Sequence, residues 1–144
     1  MMSTLPSDRT NYLHLRRLLR KLCLFYKFFL APPKDWRRPK ACDVLIYNTT
    51  GMEAIAPYLK NRNVTVLFTR GESINVPCFL QAITRRSFWQ GRAVLAYSEA
   101  FVEATKPKLI LTFIDNDQNF YYLSKSTGVT TAFIQNGLRM KQTD

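Results

Sequence analysis

Histidine is nearly absent from this chain of 144 residues, in which His14 is the only one. It lies in a basic stretch far from the polar clusters described below. The sequence therefore favours neither a Ser-His-Asp arrangement nor a histidine-based metal site. Cysteine is also scarce, and the three cysteines are odd in number, widely spaced and set in apolar sequence. That pattern predicts no disulfide framework and no zinc site, and it favours a reducing cytosol.

Glycine and proline are too few, at 5 and 7 residues, for a collagen-like or low-complexity chain, whereas 47% of the residues are hydrophobic. The composition predicts a folded globular protein, and the length is that of a single domain. The sequence also lacks the GxGxxG spacing and the Walker lysine of nucleotide-binding loops.

A hydrophobic run long enough to cross a membrane is missing as well. The longest apolar stretch, LCLFYKFFLA at 22–31, is interrupted by Lys27 and is shorter than the roughly 20 residues that a spanning helix needs. We interpret it as a segment that lies on a surface, with an uncleaved signal sequence as the alternative.

Acidic residues are in the minority, since 21 Lys and Arg face 10 Asp and Glu, a formal charge of +11. This excess favours anionic partners, among them nucleic acid, acidic lipid headgroups, phosphate-bearing substrates and acidic glycans. The excess is concentrated between Arg9 and Lys40, where Asp35 is the only acidic residue.

Within this basic stretch, apolar residues recur at helical spacing over residues 13–30 and predict a basic amphipathic helix. Its apolar stripe could lie on a membrane surface or pack on the domain; the aromatic residues near its end favour the membrane. Prolines then break the helix at 32–40, which we interpret as a linker. The chain thus divides into residues 1–40, helix and linker, and residues 41–144, the folded domain.

The rest of the chain alternates strands with helices. Short apolar runs predict strands at 43–47, 64–68, 109–114 and 130–134. Helical patterns predict helices at 52–62, 77–88, 98–105 and 118–128. This order predicts an α/β fold, a Rossmann-like parallel sheet flanked by helices and preceded by the basic amphipathic N-terminal helix.

Polar clusters follow each predicted strand: NTTG at 48–51, TRGES at 69–73, DND at 115–117 and QNG at 135–137. In a parallel sheet the strands end at the same edge, and ligands bind there. The sequence therefore predicts a site along this edge.

The pair Asp115 and Asp117 could hold Mg²⁺ or Mn²⁺ on a diphosphate, or one of the two could act as a general base for a sugar hydroxyl. Capping of the helix that begins near Gln118 is an equally good explanation.

The clusters at Arg70 and at Gln135 each have two interpretations. Arg70 could bind an anion while Glu72 faces the same crevice as Asp115; the alternative is an exposed turn. Gln135 and Asn136 offer amide groups with Arg139 just beyond, although Asn-Gly is also a hairpin signal.

Taken together, the segments DVLIYNTTG, VLFTRGESINV, KPKLILTFIDNDQNFYYLSK and FIQNGLR resemble the N-terminal part of bacterial surface-carbohydrate biosynthesis proteins, a family of transferase-like proteins with a GT-B glycosyltransferase architecture. The resemblance covers roughly residues 43–139. FIQNG also resembles the strand-plus-QHG element of capsule polysaccharide and glycerophosphate transferases, with Asn136 in the place of the histidine.

The resemblance implies an acceptor-side half that faces a second, donor-binding domain across a cleft, with a nucleotide sugar as the donor. The family would continue where this chain ends, so we expect a second domain or subunit to complete the enzyme. By the same resemblance Asp115 or Glu72 would be the catalytic base, with Asp117 near the substrate. The implied anion-binding residues are Arg70 and Arg139, and those that orient the acceptor are Asn48, Gln135 and Asn136.

The sequence-based hypothesis is therefore a glycosyltransferase-related domain of surface polysaccharide or lipopolysaccharide synthesis. Its expected partners are a glycan or lipid-linked acceptor and, through residues 13–30, an anionic membrane. We expect it in the cytoplasm, on the inner face of the cytoplasmic membrane, without a resident cofactor or metal. The alternative is a non-catalytic binding or scaffold domain. Nucleic-acid binding is disfavoured, because no nucleic-acid-binding motif joins the basic residues.

Overall fold

A computed structural model describes residues 32–114 and 116–135, together with the separate positions 15, 16, 19, 23 and 26. Apart from those five positions, the predicted amphipathic helix lies outside the described residues. So do three of the candidate site residues, Asp115, Asn136 and Arg139.

The helices and strands of the described part follow one another in a βαβ series. Their order is β1 (Lys34–Asp35), β2 (Val44–Tyr47), α1 (Met52–Ile55), a 3-10 turn (Ala56–Leu59), β3 (Val64–Leu67), β4 (Ile74–Asn75), α2 (Val76–Ile83), α3 (Arg86–Trp89), α4 (Ala93–Thr105), β5 (Leu109–Thr112), α5 (Gln118–Thr127) and β6 (Thr130–Phe133).

The main sheet has four strands in the order β3-β2-β5-β6, and every neighbouring pair is parallel. All four strands were predicted, with ends that differ from the structure by at most two residues. The central strand β2 is buried along its whole length, as expected of a short apolar run in a parallel sheet. The fold is thus α/β, with parallel strands flanked by helices, and it is compatible with a Rossmann-like arrangement.

The core lies on one face of the sheet, between the strands and the helices α2, α4 and α5. Alternate residues of a strand point to opposite faces, so Leu45 and Tyr47 of β2 point to the same side, into this core. Other members of the same buried cluster are Leu67, Phe79, Phe101, Ile110, Phe120 and Leu123. On the other face of the sheet, Gly51 at the start of α1 lies against the ring of Phe113.

Three predicted helices differ from the observed ones. Helix α4 begins at Ala93 rather than at residue 98. Its first turns are buried on several sides, so they lack the alternation of polar and apolar residues that reveals a helix. The helix predicted at 52–62 is α-helical only to Ile55 and continues as a 3-10 turn, since Pro57 has no N–H to donate.

The helix predicted at 77–88 is two helices, α2 and α3. Between them Arg85 has an extended backbone (φ −85°, ψ 137°), and its side chain reaches Glu99 and Glu103 of α4. The hydroxyl of Thr84 donates to the carbonyl of Gln81 at 2.7 Å, which satisfies a carbonyl at the end of α2.

The segment interpreted as a linker is partly attached to the domain. Its strand β1 pairs in parallel with β4, and the carbonyl of Pro33 accepts a hydrogen bond from the amide of Ile74 at 2.9 Å. The side chain of Asn75 donates to the carbonyl of Arg37 at 2.7 Å. A two-residue strand is too short to show a period in the sequence, so only the structure reveals it.

Candidate functional site

The ends of the four parallel strands place the described polar clusters along one edge of the sheet, as the sequence predicted. The strand order spreads these clusters out. Glu72 follows β3 at one end of the row and Gln135 follows β6 at the other. Three strand spacings of about 4.8 Å separate these strands, roughly 14 Å in all. One small group cannot touch both side chains, whereas an extended ligand could.

The centre of this edge lies between β2 and β5. The chain leaves β2 towards β3 on one side and returns past β2 to reach β5 on the other. Such a reversal of direction is the topological switch point at which open α/β sheets bind their ligands. The loop that begins at Asn48 and the loop that begins at Phe113 flank this point.

Asn48 is a buried polar residue at the switch point. Only 2% of it is exposed, and its backbone has a positive φ of 76°, uncommon for a residue with a side chain. Its Nδ2 donates to the hydroxyl of Thr69 at 3.4 Å, and its Oδ1 accepts from the amide and the hydroxyl of Thr50, each at 3.4 Å. Asn48 thereby connects the loop after β2 to the loop after β3.

The loop after β2 is held close to β5 by Gly51. Its φ is 76°, and a Cβ atom added to it would lie 2.5 Å from Cγ of Phe113. Only glycine allows this approach without displacing the ring. The close contact brings Thr49 and Thr50, both exposed, to the middle of the edge.

Asp117 has a structural role that the sequence analysis considered as an alternative. Its Oδ1 accepts from the amide of Asn119 at 2.8 Å and caps α5, and its Oδ2 accepts from the hydroxyl of Tyr47 at 3.0 Å. Both carboxylate oxygens are therefore engaged by the protein. Its partner Asp115 lies outside the described residues, so the predicted roles of that residue stay predictions.

Tyr47 is a member of this edge that the sequence analysis did not single out. It is fully buried, and its ring meets that of Phe120 edge-on at 5.3 Å. Burial raises the pKa of its phenol above the usual value, and the neighbouring carboxylate of Asp117 raises it further. The hydroxyl therefore stays neutral and donates to Asp117. Its position at the end of an apolar strand, just before NTTG, was the available signal.

The loop of Arg70 and Glu72 is an exposed turn. The Oε2 atom of Glu72 accepts from the backbone amide of Arg70 at 3.1 Å, and no ion pair between the two side chains is present in this described loop. Both side chains remain accessible from solvent. Gln135 is exposed at the other end of the edge, where the amide of Ile134 extends the pairing of β6 by donating to Thr112.

Two clefts of the described domain lie at the opposite edge, where the strands begin. The larger, about 550 Å³, is lined by residues that include Arg38, Cys78, Gln81 and Lys106. The other, about 440 Å³, lies beside Arg85 and between the ends of α4 and α5.

The described part of the chain contains neither a cluster of metal ligands nor a membrane-spanning helix. Among the described residues, no three His, Cys, Asp or Glu side chains are grouped so that they could hold a metal ion. The alternative of a Mg²⁺ ion on Asp115 and Asp117 is not tested by this result, since Asp115 is not among these residues. Within the described ranges, none of the helices has the length and hydropathy needed to span a bilayer.

Comparison with known proteins adds no relative to this picture. No protein-family model matches the chain. No curated protein and no solved structure matches it significantly either.

Proposed function

We propose that this chain is a glycosyltransferase-related domain of bacterial surface polysaccharide or lipopolysaccharide synthesis, with a Rossmann-like sheet of the GT-B type that binds the acceptor. The observation that carries the proposal is the position of Asn48, buried and conformationally restrained at the switch point between β2 and β5. Ligands of open α/β sheets bind at this point, and a restrained polar residue there is preorganised for them.

The chemistry of the edge suits a polyhydroxylated ligand. Thr49, Thr50 and Thr69 carry hydroxyl groups that both donate and accept hydrogen bonds, and Asn48 holds their loops together. The exposed side chains of Arg70 and Gln135 widen the edge for an extended, anionic glycan. Asn136 and Arg139 would continue this surface, as the resemblance implies.

Glu72 and Asp115 are the proposed catalytic bases for the acceptor hydroxyl. Glu72 is exposed at the edge, and its single described hydrogen bond comes from a backbone amide, so its other oxygen can face a ligand. A nucleotide sugar would be bound by a second domain or subunit on the far side of the cleft. The complete enzyme would need both parts.

Binding of lipid-core oligosaccharides, measured by saturation-transfer NMR, tests the proposal. Thr69→Val removes the hydroxyl that Asn48 contacts from the switch point, with little change in shape, and we expect at least fivefold weaker binding. Thr130→Val is the matched control, because Thr130 is exposed at the start of β6, at the opposite edge. Equal binding by the two variants would contradict a site at the carboxyl edge.

A second candidate is a non-catalytic binding or scaffold domain. Both oxygens of Asp117 are used within the fold, and Glu72 closes its own turn, which favours binding over catalysis. This candidate predicts acceptor binding without turnover of any nucleotide sugar, even when candidate donor-binding proteins are added. Turnover that is lost in Glu72→Gln or Asp115→Asn would exclude it.

The proposed location is the cytoplasmic face of the membrane, reached through residues 13–30. At the described positions of this segment, Leu15, Leu19 and Tyr26 are more than half exposed. A variant that lacks residues 1–31 keeps β1 and its pairing with β4. We expect this deletion to reduce flotation with vesicles that contain acidic lipid; unchanged flotation would show that the segment contributes nothing.

A further inference from the structure

The edge of the sheet opposite the candidate site carries a concentration of positive charge. The segments that directly precede β2, β3, β5 and β6 are residues 38–43, 60–63, 106–108 and 125–129. They contain one acidic residue, Asp43. The same segments contain seven cationic residues, namely Arg38, Lys40, Lys60, Arg62, Lys106, Lys108 and Lys125. We call these seven residues the basic edge.

Contacts among these segments show that much of the basic edge is one continuous surface. Asp43 pairs with Lys108 at 2.8 Å, and Lys108 and Arg62 both lower the pKa of the Asp43 carboxyl. The side chain of Asn63 donates to the carbonyl of Ala41 at 2.7 Å, which brings the Lys40 segment next to that of Arg62.

On the neighbouring side, Arg38 and Lys106 line the same cleft. The positive surface therefore extends from the starts of β2 and β3 to the start of β5. Of the carboxylates on it, Asp43 is paired with Lys108, and Glu103, which lines the same cleft, is paired with Arg85.

The opposite edge lacks this excess of positive charge. The described loops that directly follow the four main strands contain Arg70, Glu72 and Asp117, two acidic residues against one basic residue. Positive charge is thus concentrated in the segments where the strands begin. An electric field of this kind orients a protein against a charged surface before contact is made.

We propose that the basic edge docks on an anionic lipid bilayer. The seven residues of the basic edge do not include any of residues 13–30, and the inference does not depend on the proposed function. It places the strand starts against the headgroups and the candidate site on the side that faces away from the membrane.

Helix direction favours a bilayer over a single seated phosphate. Helices α4 and α5 end at this edge, and their last carbonyls carry partial negative charge. Phosphate groups are usually seated at helix N-termini, whose amides can donate to them. Here the cations must act over a distance on a diffuse anionic surface, as basic segments do at lipid headgroups.

Trp36 supports lipid over nucleic acid. It is 70% exposed and lies two residues before Arg38. Tryptophan beside basic residues is typical of membrane interfaces. The basic edge is built from loops and helix ends, and none of its described segments is a helix or ribbon that could enter a nucleic-acid groove.

Co-sedimentation of the full chain with vesicles tests the proposal. Vesicles of phosphatidylcholine with 30% phosphatidylglycerol are compared with pure phosphatidylcholine. The double variant Lys40→Gln, Arg62→Gln is expected to bind the anionic vesicles about 25-fold more weakly, at about fivefold for each cation. The control Arg86→Gln, Arg92→Gln removes the same charge elsewhere and is expected to change binding less than about twofold.

Four results would overturn the proposal. The first is equal weakening by both double variants, which would show a general effect of net charge, and the second is no weakening by either. The third is release from the vesicles by inorganic phosphate when sodium chloride of the same ionic strength has no effect, which would indicate a seated phosphate. Preference for duplex DNA over vesicles at equal phosphate concentration would replace lipid by nucleic acid.

Trp36 provides a measurement that needs no change in the basic edge. In a Trp89→Phe background it is the only tryptophan, and we expect its fluorescence to shift to shorter wavelengths on anionic vesicles. The matched Trp36→Phe protein reports on Trp89, whose emission should stay the same. A shift of Trp89 alone would place a different surface on the membrane and overturn the proposal.

Discussion

The hydroxyl of Tyr47 donates a hydrogen bond of 3.0 Å to Oδ2 of Asp117, which lies 70 residues further along the chain. Asp117 also caps α5 through its other oxygen, so this contact joins the end of β2 to the start of a helix. The two loops that flank the switch point are thereby held in a fixed relation.

Replacing Tyr47 by Phe removes this hydrogen bond and leaves the ring in place. We expect the free energy of unfolding to fall by about 1–2 kcal/mol, since a buried hydrogen bond to a charged group is lost. Tyr58→Phe is the control, because Tyr58 is 85% exposed. Urea denaturation of both variants measures the difference, and an equal loss in the two would contradict a contribution from this contact.

Alkaline pH should destabilise the protein through its buried tyrosines. Burial raises the pKa of Tyr97 to about 12, and it also raises the pKa of Tyr47. Because the folded state favours the neutral phenol, this stabilisation is complete below pH about 10 and is lost as the pH rises towards 12.

Unfolding curves between pH 9 and 12 measure this loss. Tyr97→Phe should be less stable than the parent at pH 8, because the amide of Asn75 loses its acceptor, but should lose less stability at higher pH. Absorbance at 295 nm follows the phenolates directly. Ionisation of every tyrosine near pH 10 in the folded protein would contradict the burial of these two.

Gly51→Ala should destabilise the protein more than the same change at Gly71. Both residues have positive φ, 76° and 90°, so both variants carry a backbone strain of about 1 kcal/mol. At Gly51 the new methyl group would also meet the ring of Phe113, whereas no atom lies within 4 Å at Gly71. We expect a further loss of about 1–3 kcal/mol at Gly51. Thermal melts compare the two variants, and equal melting temperatures would argue against this contact.

Arg85→Met should lower the free energy of unfolding, because it removes the ion pairs between α4 and the segment that joins α2 to α3. The guanidinium bonds Glu99 at 3.2 Å and Glu103 at 2.6 Å, and the side chains of Arg85 and Glu99 are only 24% and 14% exposed. Removing the cation leaves a partly buried carboxylate unpaired, at a cost of about 1–3 kcal/mol.

The neighbouring Arg86→Met is the matched control, because Arg86 is exposed. We expect its free energy of unfolding to change by less than about 0.5 kcal/mol. Denaturant titration measures the difference in the free energy of unfolding between the two variants at low and at high salt. We expect this difference to be the same at both, since partly buried ion pairs are screened little. A difference that vanishes in salt would indicate a surface effect only.

The strands were predictable, whereas several helices were not. Val44–Tyr47 and Leu109–Thr112 are short apolar runs in a parallel sheet, and burial on both faces makes such runs visible in a sequence. Helix α4 is buried along much of its surface, which removes the polar face that would have marked its start. The break at Arg85 depends on carboxylates of another helix, and a local pattern cannot contain them.

The candidate site was likewise predictable only in part. The polar residues after each strand could be found by position alone, because parallel strands end at one edge. Which of these residues contact one another could not be predicted from the sequence. Asn48 contacts Thr69 across 21 residues, and Asp117 contacts Tyr47 across 70. These pairings depend on the order of the strands, which a single sequence does not reveal.

By itself, the sequence determined the alternation of strands and helices, the parallel sheet and the positive charge, since these depend on residue type and spacing along the chain. The tertiary structure alone decided that β2 lies between β3 and β5, that Asp117 serves Tyr47 and a helix end, and that the cations gather where the strands begin. The physical reason is that strand order and side-chain contacts arise from packing between distant segments, whereas periodicity records only each segment's own exposure to the core and to solvent.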